Sequence, residues 1–174
     1  MRPFHFRGSL YRALNPLYAH EPLSGKGAAL YGGRFNTKGT SALYTSSSVI
    51  TALREANQIG SLQPTTLVSY DADIDKIFDS RDTTNLATEE MDSAALADDT
   101  WRDQMKTSGE ARTQAFARRL FESGYHGLLV RSFSPGATQT DLNIVLWHWG
   151  DAPPARLTLI DDEKRLSRLR NEVT

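Results

Sequence analysis

The chain carries its most informative stretch near the start. It reads Tyr11-Arg12-Ala13-Leu14, then Leu23-Ser24-Gly25-Lys26-Gly27-Ala28-Ala29-Leu30-Tyr31-Gly32-Gly33-Arg34-Phe35-Asn36-Thr37-Lys38-Gly39, then Leu43-Tyr44-Thr45-Ser46-Ser47-Ser48, and closes on Ala52-Leu53-Arg54-Glu55. Arginines, a tyrosine and a glutamate stand here among glycines. That inventory suits a phosphate-rich, aromatic ligand attacked at a sugar carbon. Residues 8–14 read as a strand, with Tyr11 and Ala13 on one face and Leu10, Arg12 and Leu14 on the other. Asn15-Pro16 ends it. Residues 20–40 hold five of the twelve glycines and read as a long functional loop, partly ordered by Tyr31 and Phe35. Residues 41–45 read as a strand. Ser47 or Ser48 then caps a helix reaching about Gln58, with Val49, Ala52, Leu53 and Ala56 inward and Gly60 as its stop.

Outward from that stretch, residues 65–74 alternate as a strand. Residues 79–108 are polar and acidic, with short helical pieces at 89–96 and 99–106. Residues 110–123 form an amphipathic helix through Ala111, Ala115, Phe116, Leu120 and Phe121. Residues 125–132 and 142–149 read as strands parted by a turn at Ser134-Pro135-Gly136. Residues 156–160 read as a further strand, and 161–171 as a terminal helix burying Leu166 and Leu169. The sum is an α+β chain, expected to form one domain over residues 1–174.

Composition narrows the classes. Net charge is −1 and the sequence pI about 6.4, with no long Lys/Arg block, so direct nucleic-acid binding is not expected. No apolar run is long enough to span a membrane, and the first residues lack a signal-peptide core. The absence of cysteine removes disulfides and thiolate chemistry and fits a cytoplasmic location. Three motif-like patterns fail. Ser24-Gly25-Lys26-Gly27 lacks the hydroxyl residue and upstream glycine of a phosphate loop. Asp71, Asp73 and Asp75 alternate, but Lys76 stands where a calcium loop needs glycine; they read as the solvated face of a strand end. His126 and His148 are isolated and read as structural, so no metal is expected.

Each remaining polar candidate has two readings. Arg34, beside Gly32-Gly33, either forks onto phosphate oxygens or pairs with a surface acid. Arg12 either faces inward toward an anionic partner or points outward. Tyr44 either stacks on a planar ring or packs in the core. Glu55, near Ala52 and Ala56 on the helix, either opens to a cleft or forms an exposed helix pair. Ser132 either faces a cleft or starts a turn.

Taken together and in order, these residues resemble the RES domain family, named for its Arg, Glu and Ser. The matching pieces are Tyr11-Arg12, Gly32-Gly33-Arg34-Phe35-Asn36, Leu43-Tyr44-Thr45-Ser46, Ala52-Leu53-Arg54-Glu55, Gly124-Tyr125-His126-Gly127-Leu128-Leu129-Val130-Arg131-Ser132 and Asn143-Ile144-Val145-Leu146-Trp147. The resemblance implies a split-sheet fold like that of diphtheria-toxin-type ADP-ribosyltransferases. It implies a bacterial toxin that consumes NAD, by mono-ADP-ribosylation of a cellular protein or by hydrolysis or phosphorolysis of NAD. A module that binds ADP-ribose or a nucleotide without chemistry is the remaining alternative. The resemblance makes Glu55 the catalytic carboxylate with Tyr44 and Arg34 as its catalytic partners, places Arg12, Arg34, Tyr44 and Ser132 around NAD, and requires no metal. It also implies a cognate Xre-like antitoxin that covers the site, with residues 79–108 and the terminal helix as candidate contacts. The chain departs from the family pattern at Ala13, where many members carry an aromatic residue, and at Phe35, where many carry Trp.

Overall fold

A computed structural model describes residues 2–58 and 60–166. Its centre is a six-stranded sheet wrapped by helices, an α+β architecture. Strand β1 (Phe4–Leu14) pairs antiparallel with β3 (Thr66–Asp79) along almost its whole length, Leu10 opposite Tyr70 and Leu14 opposite Thr66. The other edge of β3 is shared. Residues 70–74 pair with β6 (Ala155–Leu159), and residues 77–79 pair in parallel with β4 (Gly127–Arg131). A register shift in β1–β3, where Lys76 adopts φ 53°, separates those two pairings. An extra residue of this kind twists a strand locally, which lets one edge change partners. The sheet continues from β4 to β5 (Leu142–Leu146) and β2 (Leu43–Ser46), and β2 returns to β1 through Tyr11 opposite Ser46.

The sheet has a core on each face. Leu10, Leu43, Tyr70, Ile74, Leu129, Ile144 and Leu146 fill one. Phe35, Phe78, Leu86, Phe116, Leu120, Leu128, Val130, Val145 and Trp147 fill the other, beneath the helices. Period-two alternation along β4 and β5 makes this possible: Leu129 and Ile144 point one way, Leu128, Val130 and Val145 the other. Helix α6 (Arg112–Glu122) seals the second core with Thr113, Gln114, Phe116, Ala117 and Leu120. Ala115 and Phe121 are only partly buried, so the apolar stripe is rotated from the one expected.

The expected elements hold with shifted ends. The long loop contains helix α1 (Lys26–Tyr31), and the polar segment folds as α3 (Thr83–Thr88), α4 (Ser93–Ala97) and α5 (Trp101–Ser108). Ser48 caps α2 (Val49–Ala56) by accepting from the Thr51 amide at 3.1 Å. The buried side of α2 is Thr51 and Ala52, whereas Val49 and Ala56 are exposed, correcting the expected inner face. Asp71 and Asp73 lie mid-strand rather than at a strand end, paired with Arg156 and with His5 and Arg7. Exposed pairs of this kind contribute little to stability. The His126 ring bonds the Asp75 carbonyl at 2.8 Å and His148 stacks on Phe121, so both have structural roles. Beyond Leu166 the expected terminal helix, with Leu169, lies outside the described residues. No helix among the described residues is long and apolar enough to cross a membrane.

Candidate functional site

Cross-strand partners share a face of the sheet. Tyr44 lies opposite Val145, Ser46 opposite Asn143, and Val130 opposite Asn143. Continuing the alternation of β4, Ser132 follows Leu128 and Val130 on that same face. Polar side chains from three strands therefore gather where the second core ends, and α2 brings Glu55 to them.

Glu55 is the hub. Its Oε1 accepts from the Ser132 hydroxyl and from Asn143 Nδ2 at 2.7 Å, and its Oε2 accepts from Gln58 Nε2 at 2.7 Å. Asn143 is oriented in turn by the Ser46 hydroxyl, which donates to its Oδ1 at 2.7 Å. Ser134 bonds the Ser132 hydroxyl at 2.8 Å. The carboxylate is thus fixed by neutral donors, with no cation at ion-pair distance among the described residues. Such a group keeps its negative charge available to a ligand.

A cavity of about 290 Å³ opens beside it, bounded by Gly33, Arg34, Tyr44, Glu55, Arg102 and Phe133 among others. Tyr44 is about one-third exposed (36 %) along its ring, while its hydroxyl tip is enclosed, donating to Asn36 Oδ1 at 2.7 Å and accepting from the Phe35 amide at 3.0 Å. Burial of that tip pushes the phenol pKa well up, so Tyr44 stays neutral and presents a ring wall. Gly33 allows this: a Cβ there would lie 2.4 Å from the Tyr44 hydroxyl and 2.6 Å from Asn36 Oδ1. Arg34 lines the same cavity. Its Nη1 donates to the carbonyls of Leu96 at 3.0 Å and Asp98 at 2.8 Å, and its guanidinium lies 4.9 Å from the Phe133 ring centre. Burial and then the neighbouring Arg102 lower its pKa.

The structure brings Arg34, Tyr44 and Glu55 to one cavity and joins Ser132 to it through Glu55. It places Arg12 elsewhere. Arg12 follows Leu10 on the opposite face of β1, and its Nη1 donates to the Pro22 carbonyl at 2.9 Å, which also accepts from Tyr70. Tyr11, opposite Ser46, is the β1 residue on the face of the site. Asn143 was missed in the sequence; an amide inside the apolar run Leu142-Asn143-Ile144-Val145-Leu146 was the available signal. Arg102 and Phe133 carried none. A larger cleft of about 700 Å³ lies between residues 13–17 and 61–65, but no ionisable side chain lines it. Acid–base and anion chemistry therefore favour the smaller cavity. Among the described residues no group of three or more acids and histidines could hold a metal ion.

Asp141 ties this region together. It accepts from Thr51 on α2 at 2.8 Å, the Thr138 amide at 2.6 Å and Arg54 at 3.2 Å, while its carbonyl accepts from the Ser132 amide at 2.8 Å. The Thr138 amide, then the Thr51 hydroxyl, hold its carboxyl below the usual range. A depressed carboxyl contributes stability that is fully present above its unfolded pKa, about 3.9. That contribution is lost as pH falls through the lower folded value. Asp141→Asn is expected to melt lower than the parent at pH 7. The gap should narrow in melting curves taken toward pH 3, and a gap independent of pH would rule out this linkage.

A family model for the RES domain matches residues 9–168. The chain belongs to the RES domain family. A search of curated proteins gave no match. The match takes in every residue of the site, from Arg34 and Tyr44 to Ser132 and Asn143. Within the matched region Glu55 and Ser132 are directly hydrogen-bonded, although 77 positions separate them.

Proposed function

We propose that this RES domain is the toxin of a bacterial toxin–antitoxin system, an NAD-consuming enzyme that mono-ADP-ribosylates a cellular protein in the cytoplasm. The observation that carries this reading is the Glu55 carboxylate, held by Ser132 and Asn143 at a cavity flanked by Arg34 and the Tyr44 ring. Closure of the sheet through β1–β3 and β1–β2 is compatible with an ADP-ribosyltransferase-like fold.

The chemistry follows from charge. As the bond from the nicotinamide nitrogen to ribose C1′ breaks, nicotinamide takes the bonding pair and leaves neutral. Positive charge develops on the sugar, as in glycoside cleavage. A preorganised carboxylate stabilises that charge without having to reorganise. Glu55 does this, Ser132 and Asn143 hold it, Tyr44 stacks on the leaving ring, and Arg34 holds phosphate oxygen. The acceptor's nucleophilic atom bonds to C1′ and its proton leaves to solvent. A protein acceptor gives ADP-ribosylation; water or phosphate would give NAD hydrolysis or phosphorolysis. A cognate Xre-like antitoxin would neutralise the toxin by covering the cavity.

The test is incubation of purified protein with adenylate-labelled NAD and cell lysate. The expected result is nicotinamide release with label on a discrete protein. Nicotinamide release with label only on free ADP-ribose or its phosphate would move the assignment to NAD degradation. Absence of nicotinamide release would leave a binding module.

A further inference from the structure

The acidic segment between β3 and α6 delivers a cation to the cavity. Arg102, second residue of α5, lines the same cavity as Arg34 and Glu55. Its guanidinium lies 4.4 Å from the ring centre of Trp101, itself buried. It makes no hydrogen bond or ion pair with any described residue. Arg34 anchors this segment, because both carbonyls accepting from its Nη1, Leu96 and Asp98, belong to it. That leaves Nε and Nη2 of Arg34 without a hydrogen bond to the described residues. Two guanidinium groups thus border one cavity with donors unspent.

We propose that Arg102 is the second guanidinium of the site, and that Arg34 and Arg102 together take the pyrophosphate of a dinucleotide, the part the resemblance gives to Arg12. This rests on the NAD reading above for the identity of the dinucleotide, but not for the anion. A pyrophosphate carries two negative charges about one phosphate apart. Two planar forks lining one cavity can each make charge-assisted bonds to it. Like charges brought together unpaired are unfavourable, and a bridging dianion relieves that. The pKa of Arg34 is lowered, first by burial and then by Arg102, while Glu55, Asp99 and Asp98 act in the opposite direction. Arg12 lies on the other face of β1, where its Nη1 donates to the Pro22 carbonyl. Its role is to hold the start of the glycine-rich loop. Stacking on Trp101 fixes the plane of Arg102 and limits the order lost on binding.

The test is calorimetry with inorganic pyrophosphate, ADP-ribose and adenosine on the full chain, Arg102→Ala, Arg102→Lys and the remote charge control Arg7→Ala. Arg102→Ala should raise Kd for pyrophosphate and ADP-ribose about tenfold or more, the size expected for a lost charged hydrogen bond. Adenosine should be unaffected. Arg102→Lys, which keeps the charge without the fork, should fall between. Arg102 is exposed, and a circular dichroism spectrum matching the parent confirms that each variant is folded. Unchanged pyrophosphate affinity in Arg102→Ala overturns the proposal, as does no pyrophosphate binding by the parent or an equal loss in Arg7→Ala. Nicotinamide release by the parent is read separately. Arg102-dependent pyrophosphate binding without release keeps the subsite and removes the NAD reading. Release with no Arg102 dependence of binding does the reverse.

Discussion

Glu55→Gln is expected to cut nicotinamide release from NAD by at least about a hundredfold while leaving the fold intact, the scale seen when one preorganised electrostatic contact to a transition state is removed. Gln has nearly the shape of Glu, so packing on α2 is preserved. Charge and hydrogen-bond polarity are not. Glu55 Oε1 accepts from both Ser132 and Asn143, and Oε2 from Gln58. An amide can offer only one oxygen to those three donors, and its NH₂ must face at least one of them. The neutral group also has no charge with which to stabilise an oxocarbenium-like sugar. Because Thr51 and Ala52 supply the buried side of α2, the melting temperature should move by no more than a few degrees. Release rates and thermal melts of the same preparation check both halves. Turnover equal to the parent in a folded variant would take Glu55 out of the chemistry and return Ser132 and Asn143 to structural roles.

Much of this site was legible as residues and little of it as geometry. Ser48 announced a helix start, and the hydroxyl does cap α2. Alternation correctly put Arg12 with Leu10 and Leu14 rather than with Tyr11. What alternation cannot supply is which face of β1 the site uses. That depends on the pairing of Tyr11 with Ser46, a contact between strands far apart in sequence. The resemblance placed Arg12 in the pocket; the register turns it toward Pro22. The link from Ser132 to Glu55 is equally non-local. It needs β4, β5 and β2 side by side, and β4 sits beside β3 only because β3 changes partner past Lys76. Arg102 was hidden for a different reason. A polar, acidic segment reads as a solvated surface, yet Leu86, Met91 and Leu96 bury in the second core and Arg34 holds the Leu96 and Asp98 carbonyls, which together fold it back over the cavity.

The sheet that creates this non-local geometry has a point where it cannot give. A Cβ at Gly127 would lie 2.4 Å from the Val145 carbonyl oxygen and 3.1 Å from both Ile77 Cδ1 and Leu146 Cδ2. The first obstacle is backbone, fixed in the β4–β5 ladder between Leu128 opposite Val145 and Gly127 opposite Leu146. Ile77 is fully buried in β3, directly across from Gly127. Gly127→Ala therefore must spread β4 from β5 or from β3. Overpacking of this kind costs about 1–3 kcal/mol and more where backbone must move. For a chain of this size that is a fall in melting temperature of roughly 2–12 °C. Gly150→Ala, where no atom lies within 4 Å of the added methyl, is the matched control and should melt close to the parent. The same ladder sets Asn143 opposite Val130, two residues before Ser132. Spreading it would separate the two donors that hold Glu55, so activity should fall even below the temperature at which the variant unfolds. A Gly127→Ala protein with parental melting and parental turnover would show that the ladder yields there and that the site does not depend on its register.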